Sequence, residues 1–173
     1  MYCWNKEPYM TQRFNADEIF SMGVQIEKNG FSFYANASEN TDDPDLKDLF
    51  RRLAEWEQKH VTLFESLKMK LPVTAREEDV YDQDNMIHAY LKAVADNNVF
   101  VRGLSLNPEH VVWSSPVKVL QTALDFEKDS VVFFSSMKEV TVNPAGSTEV
   151  EKLIQEELRH IGFLTGEIRK LGM

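Results

Sequence analysis

The sequence predicts an all-α protein, a four-helix bundle in which a long crossover with a short helix of its own joins helices 2 and 3. Three observations predict it. Apolar residues recur at helical spacing through four long segments. Capping residues and prolines punctuate those segments, and no alternating Val/Ile/Thr-rich run has the length and flanking turns of a strand. Two of the three connections are short, and the third spans residues 73–114.

The first helix is expected to begin after Asn15, which caps, with Glu18 completing a capping box. Its apolar positions include Phe20, Val24, Phe31 and Tyr34. Thr41-Asp42-Asp43-Pro44 is a turn, with Asp43 as cap and Pro44 in the first helical position. The second helix runs to about Met69 on a stripe of Leu46, Phe50, Leu53, Phe64, Leu67 and Leu71, and Pro72 ends it. The crossover holds one helical stretch, about Asp84 to Asp96, with Ile87, Leu91 and Val94 on one face. Ser115-Pro116 starts the third helix, whose stripe is Leu120, Leu124, Val131 and Phe134. Asn143-Pro144-Ala145-Gly146 breaks the chain. Thr148 and Glu151 form a further capping box, opening a last helix with Val150, Leu153, Leu164 and Leu171 apolar. Two short turns and one long crossover give ferritin-like connectivity; an up-down bundle needs three short loops. The expected organisation is an N-terminal arm over residues 1–14 and one bundle domain over 15–173.

The 173 residues are 43% hydrophobic and 27% charged, the composition of a single globular domain. A net charge of −9 repels phosphate backbones, so nucleic acid is not an expected partner. No apolar run approaches the roughly 18–20 residues that span a bilayer. MYCWNKEPYMTQRF lacks the basic end and apolar stretch of a signal peptide. A cytoplasmic protein with no membrane partner is therefore expected. The single Cys3 excludes an internal disulfide framework or a Cys₄ metal site.

The chemistry lies where the stripes are interrupted. In the second helix, positions 46, 50, 53, 57, 60, 64 and 67 step by four and three, which sets Glu57 and His60 on the apolar face. Glu27 lies between Val24 and Phe31, Glu127 between Leu124 and Val131, and Glu157 and His160 between Leu153 and Leu164. Buried carboxylates are costly unless paired, protonated or bound to a cation. Glu57 with His60 and Glu157 with His160 share the Glu-x-x-His spacing, which puts a carboxylate and an imidazole on one helix face within reach of one ion. One such motif is cheap in an acidic helical chain. Here there are two, each with a Glu thirty residues upstream and a turn at the midpoint, so the hairpins read as copies offset by 100 residues. Glu27 then faces Glu57, and Glu127 faces Glu157. A pair of metal ions is the common partner such a set requires, and carboxylate-rich mixed ligands suit Fe or Mn better than structural Zn.

In this ligand pattern the chain resembles the rubrerythrin-like branch of the ferritin-like di-iron carboxylate family, over about residues 15–171. The resemblance implies that Glu27, Glu57, His60, Glu127, Glu157 and His160 bind two iron ions, with manganese or mixed occupancy as variants. It also implies that Glu57 and Glu157 bridge while Glu27 and Glu127 are terminal, and that Tyr34, seven residues after Glu27, sits beside the metals. Rubrerythrins carry a rubredoxin-like site with four cysteines that this sequence does not contain, which implies an external electron donor. Their additional Glu one turn beyond the third-helix ligand is replaced by Ser130, so the set of four Glu and two His is nearer to a bacterioferritin ferroxidase centre. The implied function is a non-haem di-iron oxidoreductase reacting with O₂ or hydrogen peroxide, in a homodimer or higher homo-oligomer. The alternatives are a ferritin-like iron-sequestering protein with a ferroxidase-type centre, and a structural or interaction protein braced by metal. His88 and His110 lack ligand spacing and read as surface or packing residues. Glu55, Glu65, Glu156 and Glu167 read as solvated, near Lys and Arg at helical spacing.

Overall fold

The computed structural model describes residues 14–82, 86–97, 113–140 and 144–172. Its helices are α1 (Ala16–Glu39), α2 (Pro44–Met69), α3 (Val73–Glu77), α4 (Met86–Asn97), α5 (Pro116–Val140) and α6 (Pro144–Lys170). No strand occurs among the described residues. Cys3, His110, Asn143 and nearly all of the expected N-terminal arm lie outside them.

The helix ends follow local chemistry. The Asn15 side chain accepts from the Glu18 N–H at 2.9 Å, and Glu18 accepts from the Asn15 N–H at 2.9 Å, the expected capping box. Asp43 accepts from the N–H groups of Asp45 and Leu46, with Pro44 in the first position of α2. Two boundaries differ from expectation. Pro72 ends α2 and also caps the one-turn helix α3, which the sequence did not announce. The last helix begins at Pro144, four residues before the expected Thr148 cap. Proline's fixed φ suits a first helical position, and this start takes Pro144, Ala145 and Gly146 into the helix.

α1 packs chiefly on α2 and α5 on α6, and the two hairpins meet through α1 with α5 and α2 with α6. Two apolar clusters fill the bundle. One holds Ile19, Phe20, Phe64, Phe133, Phe134 and Leu153; the other holds Phe33, Phe50, Leu53, Leu120 and Leu164. The stripe of α2 is buried from Leu46 to Leu67, as its spacing requires. In α1 the expected Phe20 and Tyr34 are buried together with Ile19, Gly23, Ile26, Gly30 and Phe33, while Phe31 is exposed. Expected stripe positions Val24, Leu124 and Val131 are half-buried, and Leu171 is exposed. These positions lie one step around the helix from the face that packs.

The crossover is pinned at its start. The Val80 N–H donates to the Phe14 carbonyl at 3.0 Å, and the Phe14 N–H donates to His88 Nδ1 at 3.1 Å. His88 Nε2 lies 2.8 Å from the Val80 carbonyl. His88 is a buried packing residue with both ring nitrogens engaged. Among the described residues no helix is long and apolar enough to cross a membrane.

Candidate metal centre

Between the two apolar clusters the helices bring six polar side chains together. Glu27 comes from α1, Glu57 and His60 from α2, Glu127 from α5, and Glu157 and His160 from α6. All six are at least 98% buried. His60 Nδ1 lies 3.3 Å from Glu27, 3.1 Å from Glu157 and 3.8 Å from Glu57. His160 Nδ1 lies 2.9 Å from Glu157, 3.5 Å from Glu127 and 3.9 Å from Glu57. Glu27, Glu57, His60 and Glu157 present donor atoms all within 4.8 Å of one another, and so do Glu57, Glu127, Glu157 and His160. Glu57 and Glu157 belong to both groups.

The donor set fits a pair of divalent cations. Glu27 Oε1, Glu57 Oε1, Glu127 Oε2, Glu157 Oε1 and His60 Nδ1 are buried without a hydrogen-bond partner among the described residues. Such atoms are rare in folded proteins unless an ion or water takes them. Four ionised carboxylates carry a formal charge that two divalent ions match, and their ion-pair partners among the described residues are histidines only.

Without a cation the electrostatics are strained. Burial, then the neighbouring Glu27 charge, pushes Glu57 well above the usual carboxylate range. Burial and the Glu157 charge do the same to Glu127. Burial also raises Glu27 against the hydrogen bonds that favour its charge. Glu157 goes the other way, because the hydrogen bond with His160 and the close His60 imidazole overcome its burial. Burial would lower both histidines, but the carboxylates outweigh it, raising His60 strongly and His160 to about 10.

The surroundings orient this cage. The Tyr34 hydroxyl donates a short hydrogen bond to Glu127 across the bundle, and burial and the Glu127 charge hold its pKa well above the ordinary value. Gly30 sits one turn after Glu27. A Cβ there would lie 2.9 Å from Phe126 and 3.1 Å from the Glu57 carboxylate, so only glycine leaves that space. Ser130 is buried, and its hydroxyl has no hydrogen-bond partner among the described residues.

Two residues outside the sequence-derived set also touch the cage. Glu156 does not stand free in solvent: it pairs with His60 Nε2 at 2.9 Å. It lies off the apolar stripe, so helical spacing gave no signal for it. Trp56 stacks on the His160 ring at 4.9 Å with planes 9° apart, and on Phe163 at 5.9 Å. With His60 stacked on His160 at 5.9 Å, four rings form a file from the surface to the cage. Of the other acids read as solvated, Glu55 pairs with Arg51, Glu65 with Lys28 and Glu167 with Lys170.

A sequence model of the rubrerythrin family matches residues 18–168. Among solved structures, the fold is similar to a putative ferritin-like diiron-carboxylate protein from Thermotoga maritima. That likeness has a TM-score of 0.68 and 20% identity, and covers 91% of this chain and 97% of the other. The fold is also similar to CopM in its Cu(II)-bound form, with a TM-score of 0.58 and 13% identity, covering 92% and 99%. No curated protein sequence matches the chain.

Proposed function

The chain belongs to the rubrerythrin family, and from that premise we propose that it is a non-haem di-iron oxidoreductase reacting with O₂ or hydrogen peroxide. The observation that carries this reading is the pair of overlapping donor groups that share Glu57 and Glu157. One ion would be held by Glu27, Glu57, His60 and Glu157, the other by Glu57, Glu127, Glu157 and His160. The shared carboxylates would bridge, with Glu27 and Glu127 terminal. Two ferrous ions bound there supply one electron each to the oxidant. Iron or manganese suits this oxygen-rich set better than copper, the ion named for the CopM structure.

The chain's own residues prepare the site. Glu156 engages His60 Nε2 and so leaves Nδ1 for an ion. Tyr34 is a positioning residue: it keeps its proton and fixes one Glu127 oxygen while the other stays free. Phe126 and Tyr34 wall the cage with aromatic surface and keep bulk water out. Electrons return from an external donor, and the protein works as a homodimer or higher homo-oligomer.

The test is anaerobic titration with ferrous iron and elemental analysis, followed by optical spectroscopy as O₂ or peroxide is added. The reading expects two ions per chain and a spectral change on oxidation. A ferrous-loaded protein that consumes neither oxidant would overturn it.

A further inference from the structure

Residues one hundred apart occupy matching places in the two hairpins: Trp56 matches Glu156, Lys59 matches Arg159, and His60 matches His160. The correspondence fails at one point. His60 turns Nδ1 to the cage and engages the Glu156 carboxylate with Nε2 at 2.9 Å. His160 also turns Nδ1 to the cage, but the residue matching Glu156 is Trp56, which stacks on the ring instead. Among the described residues nothing hydrogen-bonds to His160 Nε2. With an ion on Nδ1 the ring's proton sits on Nε2, a donor that histidine ligands normally give to a carboxylate, carbonyl or water.

His160 also lines a cleft of about 270 Å³ with Trp56, Lys59, Glu156, Arg159 and Phe163. Lys59 and Arg159 are exposed, and neither has an ion-pair partner among the described residues, although the chain carries a net charge of −9. Glu156, the one acid in the lining, is engaged by His60. Phe163 lies nearly parallel to Trp56, at 20°, and is still 47% exposed.

We propose that this cleft binds a small organic carboxylate with a flat apolar substituent. Arg159 and Lys59 neutralise the carboxylate, and one of its oxygens accepts from His160 Nε2 in the place that Glu156 fills for His60. The substituent lies on the exposed face of Phe163 and against the edge of the half-buried Trp56. A cleft of this size takes a single ring or a short chain rather than a nucleotide. The hydrogen bond from His160 Nε2 rests on the metal reading, since His160 belongs to both cage and cleft, but anion binding is measured without reference to metal turnover.

The test is calorimetric titration of the full chain with benzoate at fixed ionic strength, with benzamide as the neutral match and sulfate as the anion without a ring. Benzoate should bind saturably, one per chain, with benzamide and sulfate each at least about tenfold weaker. Lys59→Gln and Arg159→Gln should each weaken benzoate several-fold. Phe163→Ala should weaken benzoate while leaving sulfate unchanged. All three residues are on exposed helix surface, and circular dichroism checks that the variants fold. The proposal is overturned by benzoate that gives no saturable heat up to about 10 mM. Benzamide or sulfate binding as well as benzoate, or undiminished affinity in the Lys59→Gln/Arg159→Gln double variant, would overturn it equally.

Discussion

A buried carboxylate whose second oxygen has no partner is stable only while something positive sits beside it. Glu57→Ala and His160→Ala should therefore each lower bound metal from two ions per chain, while helix content by circular dichroism is unchanged because the apolar clusters on either side still pack. Retention of both ions by either variant would remove that residue from the ligand set. Glycine gives a sharper contrast. At Gly30 an added methyl meets Phe126 and the Glu57 carboxylate, whereas at Gly23 the nearest atoms, on Phe64, are at 3.5 Å. Gly30→Ala should cost about 1–3 kcal/mol in denaturant unfolding and weaken metal binding. Gly23→Ala should be neutral or stabilising by up to about 1 kcal/mol. The six clustered side chains were legible in the sequence because helical spacing forced polar residues onto an apolar face. Gly30, Trp56 and Glu156 were not, because their roles arise from what the other hairpin places against them.

Helix boundaries were legible wherever the signal was local. The Asn15–Glu18 box and the Asp43–Pro44 pair are complete within four residues, and both formed as expected. The start of α6 was not, because Asn143-Pro144-Ala145-Gly146 reads as a break while Pro144 in fact opens the helix. α3 is a single turn too short to show a period. In α1 and α5 the stripes were legible in part: Phe20, Tyr34, Leu120 and Phe134 are buried as read, while Phe31 and Val131 continue the helical pattern yet lie a step away from the packed face. The Asn15 box also stands beside the Phe14–Val80–His88 hydrogen bonds that tie down the crossover. Asn15→Ala should thus cost about 1 kcal/mol in urea unfolding, with faster hydrogen exchange at the Val80 amide. Unchanged exchange there would separate the cap from the crossover.

For the molecule as a whole, metal-free stability should depend on pH with a definite sign. His160 is raised from 6.5 to about 10, and His60, Glu27, Glu57 and Glu127 are also raised, while Glu157 alone is lowered. Above the usual carboxylate range the folded state thus holds protons that the unfolded chain has released. The histidine contribution is complete below pH 6.5 and is lost as pH rises through the folded value. Metal-free protein should lose stability from just above the usual carboxylate range up to about pH 10. Metal affinity should rise over the same interval, because the ions displace those protons. Urea midpoints of metal-free protein at pH 6 and pH 8.5 check the first statement, and a higher midpoint at pH 8.5 would contradict it. The repeat of the ligand pattern at an offset of 100 residues also has an ancestral meaning. Each hairpin contributes three donors to one group and lends one carboxylate to the other. Two copies of residues 15–71, related by a two-fold axis, would present Glu27, Glu57 and His60 twice and so rebuild the six-donor set. A half-length peptide of that hairpin should therefore dimerise more tightly with metal than without it, which native mass spectrometry can read, as expected if the present chain descends from a gene that doubled.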